Sequence, residues 1–227
     1  MTINLGQARK LLMEPVRYIL PETCRVREDL DCLCKGLAMR EQILSALVET
    51  QKSLEALSTD AVTLGAIELG VKKIVAAFQS GHRLLIMGNG GSAADAQHMA
   101  GEFVGRFKRE RRALPAIALT TDTSILTGIG NDYSFEQVFA RQIQALGQSG
   151  DVVIGLSTSG HSPNVLEGLR VARQQGLFTV GLTGLPGGRL PEVADLVICA
   201  PGLSTPHVQE VLLVIEHIIC DLVEQAL

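Results

Sequence analysis

The chain has 227 residues and a net charge of −4, with 46% of its residues hydrophobic and 19% charged. This length fits one domain or one domain with an appendage, and the composition is that of a globular protein. A mildly acidic chain without Trp lacks the basic surface and stacking side chains that bind nucleic acid. No apolar run approaches the roughly 20 residues that cross a bilayer, and the N-terminus lacks a signal-peptide core. We therefore expect a cytoplasmic protein with no nucleic-acid or membrane partner.

The first part of the chain differs from the rest. Residues 1–38 show no sustained hydrophobic period, and we expect them to form an N-terminal helical extension to a domain over residues 39–227. Three of the five cysteines, Cys24, Cys32 and Cys34, lie in this extension. An odd number of cysteines argues against a disulfide framework. A Cys-x-Cys pair can bind metal or act in redox chemistry, but alone it more often supplies free thiols, which we expect here.

Beyond residue 38 the sequence predicts alternating helices and strands. From Met39, two successive segments have apolar residues at helical spacing, and the second ends at Gly81. Short apolar runs predict five strands, at Arg83–Met87, Pro115–Leu119, Val152–Leu156, Thr179–Leu182 and Leu196–Cys199. Helices are predicted at Ala93–Phe107, Phe135–Leu146, Pro163–Gln175 and Thr205–Glu224. This alternation indicates an α/β fold with a parallel sheet covered on both faces.

A glycine-rich turn, Gly88-Asn89-Gly90-Gly91-Ser92, follows the first predicted strand. Ligands of such sheets bind at the carboxyl ends of the strands, and glycine allows the backbone to approach a ligand closely. The spacing is not the GxGxxG of dinucleotide-binding proteins, and the Gly-Lys-Ser/Thr of a Walker loop is absent from the turn. The turn favours an anion or polar hydroxyls at the start of the next helix, with a plain strand–helix turn as the alternative.

Four hydroxyl side chains follow the third predicted strand. Ser157, Thr158, Ser159 and Ser162 surround Gly160 where the next helix begins. A helix N-cap explains only one of these hydroxyls. Hydroxyls together with free backbone N–H groups form a phosphate-binding cup without Lys or Arg. This segment therefore indicates a phosphorylated small molecule.

Four ordered motifs carry a family resemblance: GNGGSAADAQH, GNDYSFEQVFARQ, GDVVIGLSTSGHSPNV and VQEVLLVIEH. Together they resemble the sugar isomerase (SIS) domain family and, within it, the sedoheptulose 7-phosphate isomerases, from about Met39 to the C-terminus. The resemblance implies a flavodoxin-like fold with a five-stranded parallel sheet, a homotetramer and one Zn²⁺ per subunit. It also implies conversion of sedoheptulose 7-phosphate to D-glycero-D-manno-heptose 7-phosphate for ADP-heptose and lipopolysaccharide core biosynthesis.

The resemblance assigns site residues when it is carried over position by position. The sugar-binding residues are Asn89, Gly90, Gly91, Asn131 and Asp132. The phosphate-binding residues are Ser157, Thr158, Ser159 and Ser162. The metal-binding and acid–base residues are His98, Glu102, Gln209 and His217, of which Glu102 and Gln209 also bind substrate. Two residues depart from the family pattern: His161 stands where Asn is more frequent, and Leu212 replaces a common His.

The chemistry of an aldose–ketose isomerase gives these residues roles. The reaction moves a proton between adjacent carbons through an enediol, and it needs a base near pH 7, an acid and a group that holds the oxyanion. We expect Glu102 as the base and His217 as the acid. Zinc held by the imidazoles and oxygens would polarise the carbonyl. Because a zinc-bound carboxylate is a weaker base, either Glu102 changes coordination during turnover or the metal occupies the site only in some states.

The sequence leaves other interpretations open. Alone, His98 and Glu102 are typical of a solvated helical pair, His217 of a core histidine and Asp132 of a turn. A non-catalytic SIS-domain protein that senses a sugar phosphate, or binds the replication initiator DnaA as the initiator-associating protein does, would share the fold. An isomerase of another phosphosugar would share the site residues.

The spacing of two predicted metal ligands raises a further question. Gln209 and His217 are eight residues apart, which on a regular helix is about 12 Å along the axis and about 80° around it. One zinc ion, with ligands about 2 Å away, reaches both only through nearly extended side chains. Either Gln209 lies in a non-helical entry or one residue serves a neighbour's site. We expect the active site to be shared between chains, with Glu102 and His217 supplied by different chains.

Overall fold

The computed structural model describes residues 26–227, and their side chains from residue 39 onward. Helix α1 (Val26–Thr59) begins before the predicted start at Met39. The chain divides into two units between Ser45 and Ala46. The expectation of free thiols at Cys24, Cys32 and Cys34 concerns side chains outside this described part of the chain.

The second unit contains the alternating elements. Helix α2 (Ala61–Gln79) precedes the first strand. The elements that follow are β1 (Leu84–Gly88), α3 (Gly91–Val104), β2 (Ala116–Ala118), α4 (Thr123–Asp132), α5 (Val138–Leu146), β3 (Val152–Leu156), α6 (Pro163–Gln174), β4 (Phe178–Gly184), α7 (Leu190–Val193), β5 (Leu196–Ala200) and α8 (Thr205–Ala226). A 3₁₀ turn over Phe135–Gln137 leads into α5. All five predicted strands are confirmed, and α4 and α7 are additional helices.

Helix α4 escaped the sequence pattern for a physical reason. It contains Gly128 and Gly130, which lower helix propensity, and none of its side chains is buried. Only Leu126 and Ile129 pack against the core, partly buried, so the apolar stripe by which an amphipathic helix is recognised is weak. The Asp122 side chain begins it by accepting the backbone N–H of Ile125 at 2.9 Å. Asp132, which the sequence alone would place in a turn, is its last residue.

The five strands form one parallel sheet in the order β2-β1-β3-β4-β5. This is the flavodoxin-like order, in which the direction of strand addition reverses between β1 and β3. In the β1–β3 register, Gly88 lies opposite Leu156, so both strands end at the same edge. The loops after β1 and β3 therefore meet at the point where ligands of this fold bind.

The sheet is covered by a hydrophobic core on each face. Along β1, Leu84 and Ile86 enter the core that includes α2, α3 and α8 residues. Leu85 and Met87 enter the opposite core, which includes α5 and α6 residues. All four side chains are fully buried, because successive strand residues point to opposite faces. Within residues 26–227, no helix has both the length and the apolar character that crossing a membrane requires.

Candidate active site

The glycine loop (residues 88–92) joins β1 to α3 at the edge of the sheet. Gly90 has φ +56°, in the left-handed region that favours glycine, and Gly91 is the first residue of α3. Helix α3 then carries His98 and Glu102 on one face, four residues apart. The turn thus places the N-terminus of α3 beside the strand ends. Farther along α3, the His98 and Glu102 side chains lie toward α8.

The structure brings three of the predicted residues together within one chain. The Nε2 atoms of His98 and His217 lie 2.8 Å apart, within hydrogen-bond distance, and the Glu102 carboxylate is 3.6 Å from His98 Nε2. One nitrogen or oxygen atom from each of the three residues lies within 4.8 Å of the others. Glu102 and His217 already meet within a single chain, so the expectation that they come from different chains is wrong. Sharing of other site residues between chains stays a prediction.

The three side chains have the composition and spacing of a metal site. Two imidazoles and one carboxylate are ligands that zinc accepts, at about 2 Å from the ion. In a tetrahedral site, ligand atoms at that distance stand about 3.3 Å from one another. The separations of 2.8 Å and 3.6 Å observed here lie on either side of that value. The residues present therefore fit a single metal ion.

Gln209 occupies a neighbouring position on α8. Its side-chain amide donates to Asp95 Oδ2 at 2.8 Å, and it lies against Gly91, where any β-carbon would overlap it. Gln209 is helical, so the alternative of a non-helical entry is excluded. Its role as a metal ligand stays a prediction. Burial raises the pKa of Asp95, against the opposing effects of the Gln209 hydrogen bond and the His98 charge.

The ring of Phe107, from outside the cluster, contacts His217. Phe107, in the segment after α3, stacks on the His217 ring with centroids 5.4 Å apart and planes inclined by 25°. The His98 ring approaches His217 edge-on from another side, at 5.1 Å. The imidazole of His217 is thus held between two rings, which restricts its rotation about the side-chain bonds.

The segment that carries Phe107 is fixed by a buried carboxylate. Glu224, on the last turn of α8, accepts the backbone N–H groups of Phe107, Lys108 and Arg109 at 2.7–2.9 Å. Arg111 Nε lies 3.1 Å from the same carboxylate. Burial alone would raise the pKa of Glu224, but these N–H groups and the Arg111 charge outweigh it and lower the pKa. We call residues 107–111 together with Glu224 the clamp, because the Glu224 carboxylate holds this segment.

Glu216, next to His217 in the sequence, is a buried acidic residue of α8. It is 1% exposed, and neither carboxylate oxygen has a hydrogen-bond partner among the described residues. Burial, with the charge of Asp95, raises its pKa to about 8. At pH 7 the side chain is therefore mostly neutral, so an uncharged carboxyl group lies in the core behind the cluster.

The serine loop (residues 157–162) joins β3 to α6 next to the glycine loop. Ser162 is the N-cap of α6, as predicted, but its hydroxyl bonds Ser157 Oγ at 2.9 Å instead of capping the helix. Ser159 Oγ accepts the backbone N–H of His161, and Gly160 turns the loop with φ +67°. At the start of α6, Pro163 has no N–H, and the Val165 and Leu166 N–H groups donate to the Ser162 carbonyl at 3.1 and 3.0 Å. The role of the serine loop in phosphate binding stays a prediction.

Asn131 and Asp132 lie elsewhere in the chain. Both are exposed at the C-terminal end of α4, where the Asn131 amide donates to the Asp132 carboxylate at 2.8 Å. Asp132 lines a cavity of about 440 Å³ between α4 and α5. The described residues that line this cavity include neither the glycine loop nor the serine loop. The role of Asn131 and Asp132 in sugar binding stays a prediction.

Three residues of the site were missed from the sequence. Asp95 precedes His98 by three residues, a helical spacing that could have indicated it. Phe107 gave no signal, because a single aromatic residue after a helix is common. Asn164 lies within the quoted motif GHSPNV, and its amide bonds the amide of Asn89. Pairing across 75 residues is not visible in a local pattern.

Comparisons with known proteins agree with this geometry. The family model described as SIS domain matches residues 47–184. A phosphoheptose isomerase of Geobacter metallireducens is 53% identical over 189 residues, which are 83% of this chain and 99% of that protein. A phosphoheptose isomerase of Pelobacter propionicus is 60% identical over 155 residues, covering 68% of this chain and 82% of that one.

A solved structure extends the similarity to three dimensions. The phosphoheptose isomerase of Neisseria gonorrhoeae superposes with a TM-score of 0.76 at 35% identity. The match covers 82% of this chain and 99% of that one. The two folds therefore match over nearly the whole length of that enzyme.

Proposed function

We propose that this chain, which belongs to the SIS domain family and within it to the phosphoheptose isomerases, converts sedoheptulose 7-phosphate to D-glycero-D-manno-heptose 7-phosphate in heptose biosynthesis. One observation carries the proposal: Glu102 and His217, the acid–base pair that an isomerase needs, meet beside His98 within one chain. A protein that only sensed a sugar phosphate would need the loops but not this acid–base pair.

We assign each part of the site a step in the proposed reaction. The serine loop holds the phosphate, and the carbonyl end of the opened sugar binds at the cluster. Glu102 removes a proton from C1, and the enediol that forms regains it at C2. His217 moves a proton between the oxygens on C1 and C2. The Phe107 and His98 rings keep His217 oriented for this transfer.

We propose that His98, Glu102 and His217 hold one Zn²⁺ per subunit, with Gln209 as a further ligand. When bound, zinc supplies Lewis-acid polarisation of the substrate carbonyl. Calorimetric titration with zinc should give one site per chain, and His98→Ala should weaken that binding. Binding of zinc that is unchanged by His98→Ala would contradict this assignment, whatever the activity.

We also propose a homotetramer in the cytoplasm. Helix α8 exposes Val214, Ile218 and Leu222, each 37–38% exposed and spaced by four residues, as one apolar stripe suited to another subunit. The free thiols of Cys199 and Cys220 are typical of a reducing compartment. Light scattering on the eluting protein would measure the number of chains, and a monomeric mass would refute the assembly.

The experiment that tests the function is turnover on a panel of phosphosugars, with and without chelator. We expect sedoheptulose 7-phosphate to be the preferred substrate. Glu102→Gln should lower kcat by about 10²–10⁴-fold, because it removes the base while the phosphate is still held. Glu110→Gln is the matched control, since that carboxylate is 93% exposed. Phosphosugar binding without turnover would instead indicate a sensor, and turnover of another sugar would revise the substrate.

A further inference from the structure

The side chains of Asn89 and Asn164 form a reciprocal amide pair. Asn89 Nδ2 donates to Asn164 Oδ1 at 2.8 Å, and Asn164 Nδ2 donates to Asn89 Oδ1 at 2.9 Å. The two amides thus bond as a closed ring with two hydrogen bonds. Each carboxamide has two N–H donors and an oxygen with two lone pairs, so the pair uses one donor and one lone pair of each.

The pair joins the two loops of the site. Asn89 is in the glycine loop, one residue after β1 ends. Asn164 is the second residue of α6, directly after the serine loop. Because β1 and β3 are neighbours in the sheet, the two loops leave adjacent strand ends. The amide pair is therefore a side-chain link between the loop predicted to hold the sugar and the loop predicted to hold its phosphate.

Burial makes the pair a single unit. Asn164 is 2% exposed, and Asn89 is half-buried. A buried amide that loses its partner keeps the full cost of its desolvation, so neither residue is well accommodated without the other. The pair also commits half of the Asn89 amide: one N–H donor and one lone pair of its oxygen are bonded to Asn164, and one of each is left.

We propose that Asn164 is a positioning residue that acts through Asn89 to hold the glycine loop at a fixed distance from the serine loop. The substrate is then bound at its two ends by two loops whose relative position is already fixed. The inference rests on the proposed function, in which one phosphosugar spans both loops. Without the pair, binding would also have to order the glycine loop, which weakens the affinity.

The test compares a ligand that spans both loops with one that needs only the serine loop. In Asn164→Ala we expect KM for sedoheptulose 7-phosphate to rise about tenfold, the effect of one to two net hydrogen bonds, with kcat little changed. The Kd of inorganic phosphate, measured by calorimetry, should stay near the wild-type value. Weakening of both ligands to the same degree would indicate a general structural defect and overturn the proposal.

Three further variants complete the design. Asn164→Asp keeps the shape but sets an oxygen against Asn89 Oδ1, so KM should also rise; a wild-type KM would overturn the proposal. Asn89→Ala and the double variant should match Asn164→Ala, since all three remove the same pair. Additive effects, or a much larger effect of Asn89→Ala, would mean that Asn89 binds the sugar directly.

A control and an independent readout separate this inference from the proposed function. Gln142 is also a buried carboxamide, but it donates to Leu119 and Val138 carbonyls away from the loops. Gln142→Ala should lower Tm without raising KM. If the wild-type protein turns over no phosphosugar, the proposed function fails. The pair is then judged by Tm: each single alanine variant should lower it, and the double variant should lower it no further. Additive losses would refute the coupling.

Discussion

Glu224→Gln tests whether one buried carboxylate fixes the segment that covers His217. The Glu224 side chain is fully buried and accepts three backbone N–H groups beside Arg111. Glutamine has nearly the same shape but only one acceptor oxygen and no charge. The variant should therefore keep the packing of α8 while it loses most of the hydrogen bonds and the ion pair of the clamp.

The size of the effect follows from these contacts. Hydrogen bonds to a charged group contribute about 1.5–3 kcal/mol each, and removing one partner of a buried ion pair costs about 3–5 kcal/mol. Because the glutamine oxygen retains part of the contacts, we expect a loss of about 3 kcal/mol in the free energy of unfolding. For a chain of this size, that corresponds to a fall in Tm of about 6–12 °C.

The effect should depend on pH. The pKa of Glu224 lies below its ordinary value of 4.5 in the folded protein. The carboxylate therefore contributes its full stabilisation above pH 4.5, and the contribution is lost as the pH falls through the folded-state pKa. The difference between wild type and Glu224→Gln should thus be large at pH 7 and smaller at pH 3.5.

Urea unfolding at a fixed chain concentration measures this difference at both pH values. Asp221→Asn is the matched control, because Asp221 pairs with Lys108 of the same segment at 2.8 Å but at the surface. It should destabilise the protein far less than Glu224→Gln does. The reasoning would be refuted if Glu224→Gln destabilised the protein equally at pH 7 and at pH 3.5. It would also be refuted if Asp221→Asn destabilised the protein as much as Glu224→Gln at pH 7.

Three other outcomes are expected. Glu216→Leu should raise the free energy of unfolding at pH 7 by about 1–3 kcal/mol in urea titrations, because it removes a buried carboxyl without hydrogen bonds; a less stable variant would mean that the carboxyl has a partner in the assembly. Gly91→Ala should lower turnover by about 10–100-fold, since its β-carbon displaces Gln209, whereas Gly101→Ala, where a β-carbon meets nothing within 4 Å, should not. Deleting residues 1–38 should leave kcat/KM within a few-fold, and an inactive but correctly assembled deletion variant would contradict it.

The fold was predictable because its central strands, such as β1 and β3, are buried on both faces. Leu84 to Met87 form an unbroken apolar run whose residues enter two cores in alternation, and such a run is visible without any partner. Helix α4 was not predictable, because only two of its side chains are partly buried and it contains two glycines. Hydrophobic patterns report burial, so an element with little burial leaves a weak pattern.

The candidate site was predictable only in part, for the same kind of reason. His98 and Glu102 are one helical turn apart and could be paired from spacing alone. His217 is 119 residues from His98, and only the family resemblance connected them before the structure did. Asn164 and Phe107 act through contacts made in the folded chain, with Asn89 and with His217. Neither contact has a local signature in the sequence.

The eight-residue spacing of Gln209 and His217 matches the packing of α8 against α3. Helices α3 and α8 run alongside each other in the same direction, so matched positions meet in order. Gln209 meets Asp95, His217 meets His98 and Glu102, and Glu224 meets the segment after α3. Advancing about 12 Å along α8, from residue 209 to 217, is matched by advancing about 10 Å along α3, from residue 95 to 102. The interval is therefore the repeat of two helices packed in parallel: it places the acid and the base of the proposed reaction on facing turns and Gln209 beside Asp95, and the role of Gln209 as a metal ligand stays a prediction.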